Sequence, residues 1–259
     1  AVEFPNEPER PNNKPINIET SVFSDIINKT IFAVSKDELK PALSGVLFQI
    51  KNNSILSVST DGHRLVKYIR HGLNINIDRD VIIPKKFLSL ISSNISQTEN
   101  INLYINENQV IVEVGNDVFY SRVIDERFPD FESVIPKDNN KELIVNRLDL
   151  LSTVKRVSVL SNKTTRQIAL NLTKDNIKIT TEDNEKSSKG FENISGSFTG
   201  EDLIIGYNAA YLKDILSHLT TDEIMIKLNS PISAGLFFPK EQLKDSDLTM
   251  LLMPIRLNN

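Results

Sequence analysis

The chain has 259 residues, with 30 Lys and Arg against 34 Asp and Glu, a formal net charge of −4 and 39% hydrophobic side chains. This balance excludes wholesale disorder and fibrous repeats, and the length predicts one to two globular domains. Cysteine is absent, which excludes disulfides, thiol nucleophiles and thiolate metal sites together.

Pro5, Pro8, Pro11 and Pro15 punctuate the first stretch among charged and Asn residues, so residues 1–14 read as an extended linker or arm. That stretch has no signal-peptide pattern, and no apolar run in the chain approaches the roughly 18–20 residues of a membrane span. A soluble intracellular protein is expected. In SVFSDIINKTIFAVS, the residues Phe23, Ile26, Ile27, Ile31 and Val34 recur on one side at helical spacing and predict an amphipathic helix. GVLFQIKNNSILSVSTDG reads as a hairpin of two apolar, β-branched strands turning at Asn52-Asn53. DVIIPKKFLSLIS reads as a strand running into a helix that Pro84 starts, and INLYINENQVIVEVGNDVFYSRVI as three strands separated by polar turns.

The same order then recurs. RLDLLSTVKRVSVLSN matches the first helix, with Leu150, Leu151, Val154 and Val157 as its apolar stripe. IALNLTKDNIKITTED repeats the hairpin and DLIIGYNAAYLKDILSHL the strand–helix unit. One constant offset aligns Val46 with Ile168, Asp61 with Asp183 and Asp80 with Asp202. IMIKLNS and LTMLLMP repeat INLYINE and VFYSRVI. So long a period means tandem copies of one α+β fold, each an antiparallel sheet with two helices, and not a solenoid. Pro129 and Pro136 interrupt the pattern within RFPDFESVIPKDNN, which places domains at 15–136 and 137–259.

Chemistry-bearing clusters are few. His63, His71 and His218 are the only histidines, none paired at i, i+4, and neither GxGxxG nor GxxxxGK[ST] occurs, so metal and nucleotide-phosphate sites lose their usual carriers and no cofactor is expected. The densest polar cluster is Ser59-Thr60-Asp61-Gly62-His63-Arg64, directly after a strand. Asp61, His63 and Arg64 could serve an enzyme as acid, base and anion clamp, but no nucleophile or oxyanion loop accompanies them. Taken alone, the cluster is better read as an Asp-Gly turn whose Asp accepts backbone hydrogen bonds. Lys155 and Arg156 lie off the apolar stripe of their helix, Lys163 and Arg166 follow beyond its end, and Lys85-Lys86 open another; such cations form a solvated face or a phosphate-facing one. Val159 sits about half a turn from the core stripe, suggesting with Leu160 a contact surface or a site under a loop. The tail LTMLLMPIRLNN stays apolar almost to its end, as a late-ending core strand or one wall of a groove.

TDGHRL (Thr60–Leu65), VIIPKK (Val81–Lys86), DERFPDF (Asp125–Phe131), LSN (Leu160–Asn162), GYNAAYL (Gly206–Leu212) and MPIRL (Met253–Leu257) stand in an order and spacing that resemble the bacterial sliding clamps, the β subunits of DNA polymerase III. The resemblance covers the second and third of that family's three domains, with AVEFPN similar to the end of the link from the first. It therefore implies a fragment lacking the N-terminal domain, in keeping with a chain that begins at Ala1. It implies a non-catalytic processivity factor that sits in the bacterial cytoplasm at the nucleoid and has no membrane partner. In the family a head-to-tail dimeric ring encircles duplex DNA without reading its sequence. The clamp loader, the replicative polymerase and other partners bind it through short peptides.

Carried over motif by motif, the resemblance implies a peptide pocket of Leu43, Thr60, Gly62, His63, Arg64, Leu65, Pro129, Val134, Asn208, Tyr211, Ile232, Ala234, Met253, Pro254, Ile255, Arg256 and Leu257. It implies DNA-facing Lys85, Lys86, Arg156 and Arg166, and a ring interface at Val159 and Leu160. Ser133 stands where a relative has Arg, and Thr165 where an aromatic residue can close the rim; Asn258 and Asn259 extend past the usual final Leu. An enzyme reading and a ligand-free tandem module remain as alternatives. Loss of activity on changing His63 would support the first, and absence of both peptide and salt-dependent DNA binding the second.

Overall fold

The structure is a computed structural model and describes residues 14–75, 77–95 and 99–257. The arm read at 1–14 lies outside the described residues apart from Lys14, as do Asn258 and Asn259. The elements run β1 (Ile16–Glu19), α1 (Thr20–Thr30), β2 (Gly45–Lys51), β3 (Ser54–Thr60), β4 (Arg64–Arg70), β5 (Arg79–Pro84), α2 (Lys85–Asn94), β6 (Asn100–Ile105), β7 (Gln109–Val114), β8 (Asp117–Arg122), β9 (Lys141–Asn146) and α3 (Arg147–Val157). They continue with β10 (Gln167–Thr173), β11 (Asn176–Asp183), β12 (Ser188–Ser195), β13 (Ser197–Thr199), β14 (Leu203–Asn208), α4 (Ala209–His218), β15 (Glu223–Leu228), β16 (Gly235–Pro239) and β17 (Ser246–Leu252). No helix among the described residues is long and apolar enough to cross a membrane.

Two compact units emerge: residues 1–61 with 68–129, and residues 62–67 with 130–259. The division runs through β4, whose residues Arg64–Lys67 go with the second unit and Tyr68–Arg70 with the first.

In the first unit, strands in the order β1-β6-β7-β8 form one antiparallel sheet, and β2 lies between β3 and β5 in another. The β2–β3 hairpin turns at Asn52 and Asn53, both at positive φ (52° and 59°). Asn is among the few side chains that tolerate this left-handed geometry, which the tightest hairpin turns demand. Helix α1 buries Phe23, Ile26 and Ile27, and α2 buries Phe87, Leu88 and Ile91. Phe23 meets Phe48 of β2 with ring centroids 6.3 Å apart; truncating such a core ring costs about 3–5 kcal/mol. The apolar periodicity extends helix α1 through Ile31 and Val34, but the helix stops at Thr30 and a 3-10 turn, Ile31–Ala33, follows. Thr30 Oγ1 donates to the Ile26 carbonyl at 2.7 Å, and the Thr30 carbonyl accepts from Ser59 Oγ at 2.6 Å. That carbonyl is thereby held by β3. Pro84 precedes α2 as its cap residue, one place earlier than the first helical position favoured for proline.

The second unit rebuilds this plan with β12-β11-β10-β14 in one sheet and β13-β9-β15-β16-β17 in the other, paired antiparallel. Helices α3 and α4 pack on one another; α3 buries Leu150, Leu151, Val154 and Val157, and α4 buries Leu212, Ile215 and Leu216. Both are capped by asparagine: Asn146 accepts from Asp149 N and Asn208 from Ala210 N, contacts worth about 1 kcal/mol each. Strands β1, β4, β9, β12, β13 and β16 were not marked by the strong apolar alternation used above. β12 alternates half-buried and exposed residues, and eight register pairs with β11 define it instead.

Candidate functional site

The site is built within the second unit. At Gly62 the backbone takes φ +90° with open space around it, a conformation glycine adopts without penalty. This turn exposes His63 and sends Arg64 inward to 8% exposure and Leu65 to 2%. The carbonyl of His63 accepts the backbone N–H of Met253 at 2.8 Å, where the chain leaves β17. Two residues on, Ile255 N donates to the Gly206 carbonyl at 2.9 Å and forms an isolated bridge with β14. The tail is thus pinned at two points, with Met253 44% exposed, Pro254, Ile255 and Leu257 half-buried and Arg256 exposed.

Strand β14 hands over to α4 through the Asn208 cap, whose Nδ2 also donates to the Thr165 carbonyl at 3.2 Å. The first turn of α4 carries Tyr211. His63 meets its ring edge-on, with centroids 5.6 Å apart and planes at 86°, while the Arg64 guanidinium carbon lies 4.8 Å from the ring centre. Arg64 Nη1 in turn binds Asp214 Oδ2, one turn further along α4. Nearby in the unit, Lys67 Nζ pairs with Glu132 and lies 6.0 Å from the Phe131 ring centre. Val134 is 54% exposed, and Ile232 is 67% exposed on a turn closed by Ser230 N donating to Ser233 Oγ at 2.9 Å; Ala234 is buried. Of the sequence-derived residues, the structure joins His63, Arg64, Tyr211, Met253 and Ile255 through these contacts. Leu43, Thr60 and Pro129 belong to the first unit, where Leu43 is buried, Thr60 half-buried and Pro129 exposed.

Two participants were missed by sequence reading. Asp214 carries the Arg64 contact, and its signal was its place three residues after Tyr211 on one helix face. A Cβ at Gly206 would meet Ile255 O and Leu257 Cδ2 at 2.7 Å, and a glycine inside the strand LIIGYN is itself a mark of close backbone approach. Ser133 caps its own turn by donating to the Asp130 carbonyl at 2.9 Å, and Thr165 is exposed.

The remaining candidates lie elsewhere. Lys85, half-buried, and Lys86, exposed, open α2 of the first unit. Arg156 on α3 grips Glu192 of β12 with Nε and Nη2, at 2.9 and 2.7 Å, and Nη2 also donates to Thr153. Glu192 accordingly holds the guanidinium pKa above its ordinary value, and Arg156 holds the Glu192 carboxyl below its own. Arg166 takes φ +49° and is locked through its N–H to Asn162 O and its carbonyl from Ala209 N, both 2.8 Å. Val159 (79% exposed) and Leu160 (41%) stand on a 3-10 turn after α3, which ends at Val157, so Val159 is not part of the helix itself. Among the described residues, no three His, Asp or Glu side chains gather as a metal ion would require.

Sequence models of the DNA polymerase III beta subunit match this chain twice: the central domain over residues 17–130 and the C-terminal domain over residues 132–256. The chain belongs to the beta sliding clamp family. It is 30% identical to the beta sliding clamp of Pseudomonas putida over 259 residues, covering 99% of this chain and 70% of that one. Among solved clamps it superposes on that of Bacillus subtilis with a TM-score of 0.93 at 28% identity, covering 99% of this chain and 68% of the other. It superposes on the Pseudomonas aeruginosa clamp, a protein bound to griselimycin in that crystal, with a TM-score of 0.91 at 27% identity and coverage of 99% and 69%. Beta sliding clamps are non-catalytic processivity subunits of DNA polymerase III, and this chain is accordingly a DNA sliding clamp of the replication machinery, with the α+β clamp fold in two copies.

Proposed function

We propose that the surface formed by residues 62–65, Tyr211 and the tail Met253–Leu257 receives the apolar anchors of short partner peptides. Through it the clamp tethers the replicative polymerase and engages the clamp loader. The observation that carries this reading is the pinning of Met253 to His63 while the Met253 side chain stays exposed. An apolar side chain held by its backbone to His63, whose ring meets Tyr211, with exposed Ile232 and Val134 in the same unit, suits a preformed anchor site. Asn208, Ala234, Pro254, Ile255, Arg256 and Leu257 complete it in this unit. Leu43, Thr60 and Pro129 are assigned to the same function from the family motif.

In this reading residues 15–136 and 137–259 are two clamp domains of a cytoplasmic, nucleoid-associated ring around duplex DNA, with Val159 and Leu160 at its subunit joint. Lys85, Lys86 and Arg166 are the cations available to phosphates, with Arg156 already committed to Glu192. Few phosphate contacts mean a weak, salt-sensitive hold, which suits sliding.

The test is fluorescence anisotropy with a labelled peptide of the Gln-x-x-Leu-Phe type, against the intact chain and a version ending at Leu252. Saturable binding that disappears with the tail is expected. Absence of saturable binding by the folded intact chain would overturn the assignment.

A further inference from the structure

Tyr211 is held from two sides, and the two sides differ in kind. His63 meets the ring by its edge from an exposed turn, and its carbonyl accepts the Met253 N–H. Arg64 covers the face from a buried position and carries an ion pair at Nη1. A guanidinium held over a ring face limits where that ring can stand. The carboxylate paired with Arg64 Nη1 is Asp214, whose side chain is 49% exposed while that of Arg64 is only 9% exposed. Tyr211 and Asp214 rise from the same face of α4, three residues apart, so the helix, the carboxylate, the guanidinium and the ring form one closed loop of contacts. The carbonyl of Asp214 also receives the His218 ring Nδ1 at 2.7 Å, which ties this turn of the helix to its last one.

We propose that Asp214 is a positioning residue of the peptide site: it holds Arg64 against the face of Tyr211 and so sets where the tyrosine ring stands for an incoming apolar anchor. The inference rests on the peptide-site reading above for its consequence, while the positioning itself is a property of the unliganded chain. Asp214 is outside the residues that the family motif supplies. Its carboxylate is turned to Arg64 and it acts on a ligand only through the ring.

The experiment compares the full chain with Asp214→Asn and Asp214→Glu by peptide anisotropy, thermal melting and the NMR lines of the Tyr211 ring. Asparagine keeps the shape and removes the charge. The expected result is a peptide affinity weakened about three- to tenfold, in line with loss of one ordered cation–π contact. The Tyr211 ring lines should shift in the variant, and Asp214→Glu should recover most of the affinity. Equal affinity and unchanged ring lines in Asp214→Asn would overturn the proposal. Should Asp214→Asn fail to fold, Arg64→Lys decides: it keeps the ion pair but loses the planar stack, and undiminished peptide affinity in that variant overturns the proposal. If the wild-type chain binds no peptide while Asp214→Asn still moves the Tyr211 lines, the peptide-site reading falls and the positioning role stands.

Discussion

Ile255 donates its backbone N–H to the carbonyl of Gly206, and the same glycine leaves the space in which the carbonyl of Ile255 lies. A methyl group at position 206 would stand 2.7 Å from that oxygen and from Leu257, inside any permitted contact. The neighbouring Ile205 and Tyr207 point into the core and are fully buried, so the strand has strong reasons to stay where it is. The tail, with two backbone hydrogen bonds, has fewer. Gly206→Ala is therefore expected to displace Ile255–Leu257 and weaken peptide binding about tenfold, an energy typical of mild overpacking. Anisotropy and melting together check it: unchanged affinity in a folded variant would show that the tail does not depend on this seat.

Arg156 has its Nε–Nη2 edge on Glu192, and the paired carboxylate offsets the charge it could offer a phosphate. Removing the carboxylate frees one cation on α3. Glu192→Ala is expected to tighten binding to a duplex oligonucleotide and to steepen its salt dependence by about one counterion. Titrations at several salt concentrations measure the slope, and an unaltered slope would remove Arg156 from the DNA-facing set.

The same pair has a pH signature. The Glu192 carboxyl is held below the ordinary carboxylate value, first by its hydrogen bond from Arg156. A depressed folded-state pKa means stabilisation that is complete above the unfolded pKa and lost as pH falls through the folded one. Both groups face solvent, so the effect is small. Wild type should melt slightly above Glu192→Gln at neutral pH, and the two curves should converge in acid below that depressed value. A difference that persisted unchanged into strong acid would contradict the assignment.

Tyr207 carries a buried hydroxyl that lacks a hydrogen-bond partner among the described residues. Its ring is fully buried and meets Phe237 edge-on at 6.1 Å. Burial pushes the phenol pKa upward. A desolvated hydroxyl without a partner contributes nothing to offset its loss of water, so Tyr207→Phe is expected to be neutral or to stabilise by up to about 1 kcal/mol. Chemical denaturation measures this; a loss above about 1 kcal/mol would reveal a bound water that the hydroxyl serves.

The peptide-site residues that sequence reading could name are those whose motif is local. TDGHRL and MPIRL each lie within a few consecutive positions, and GYNAAYL spans one strand end, one cap and one helical turn. Asp214 is absent from that set because its partner Arg64 is 150 positions away, and a carboxylate on an exposed helix face looks like any other until its partner is in place. Arg156 shows the converse. On the sequence it was one of several free cations, and Glu192, on a polar edge strand without an apolar pattern, carried no signal of the pairing.

What the residue order determined by itself is the content of each repeat: helix faces through 3.6-residue periodicity, the hairpin through Asn52-Asn53, and the duplication through one offset kept from Val46 to Asp80. These are short-range effects, decided by backbone sterics and by which side of an element is apolar. Only the tertiary structure decided that α1 stops at Thr30, that residues 62–67 belong with the second unit, and that Gly206 seats the tail. Each depends on partners far away along the chain, such as Ser59 for Thr30, Met253 for His63 and Ile255 for Gly206. Their hydrogen bonds and close contacts form only once the apolar faces have been buried against one another.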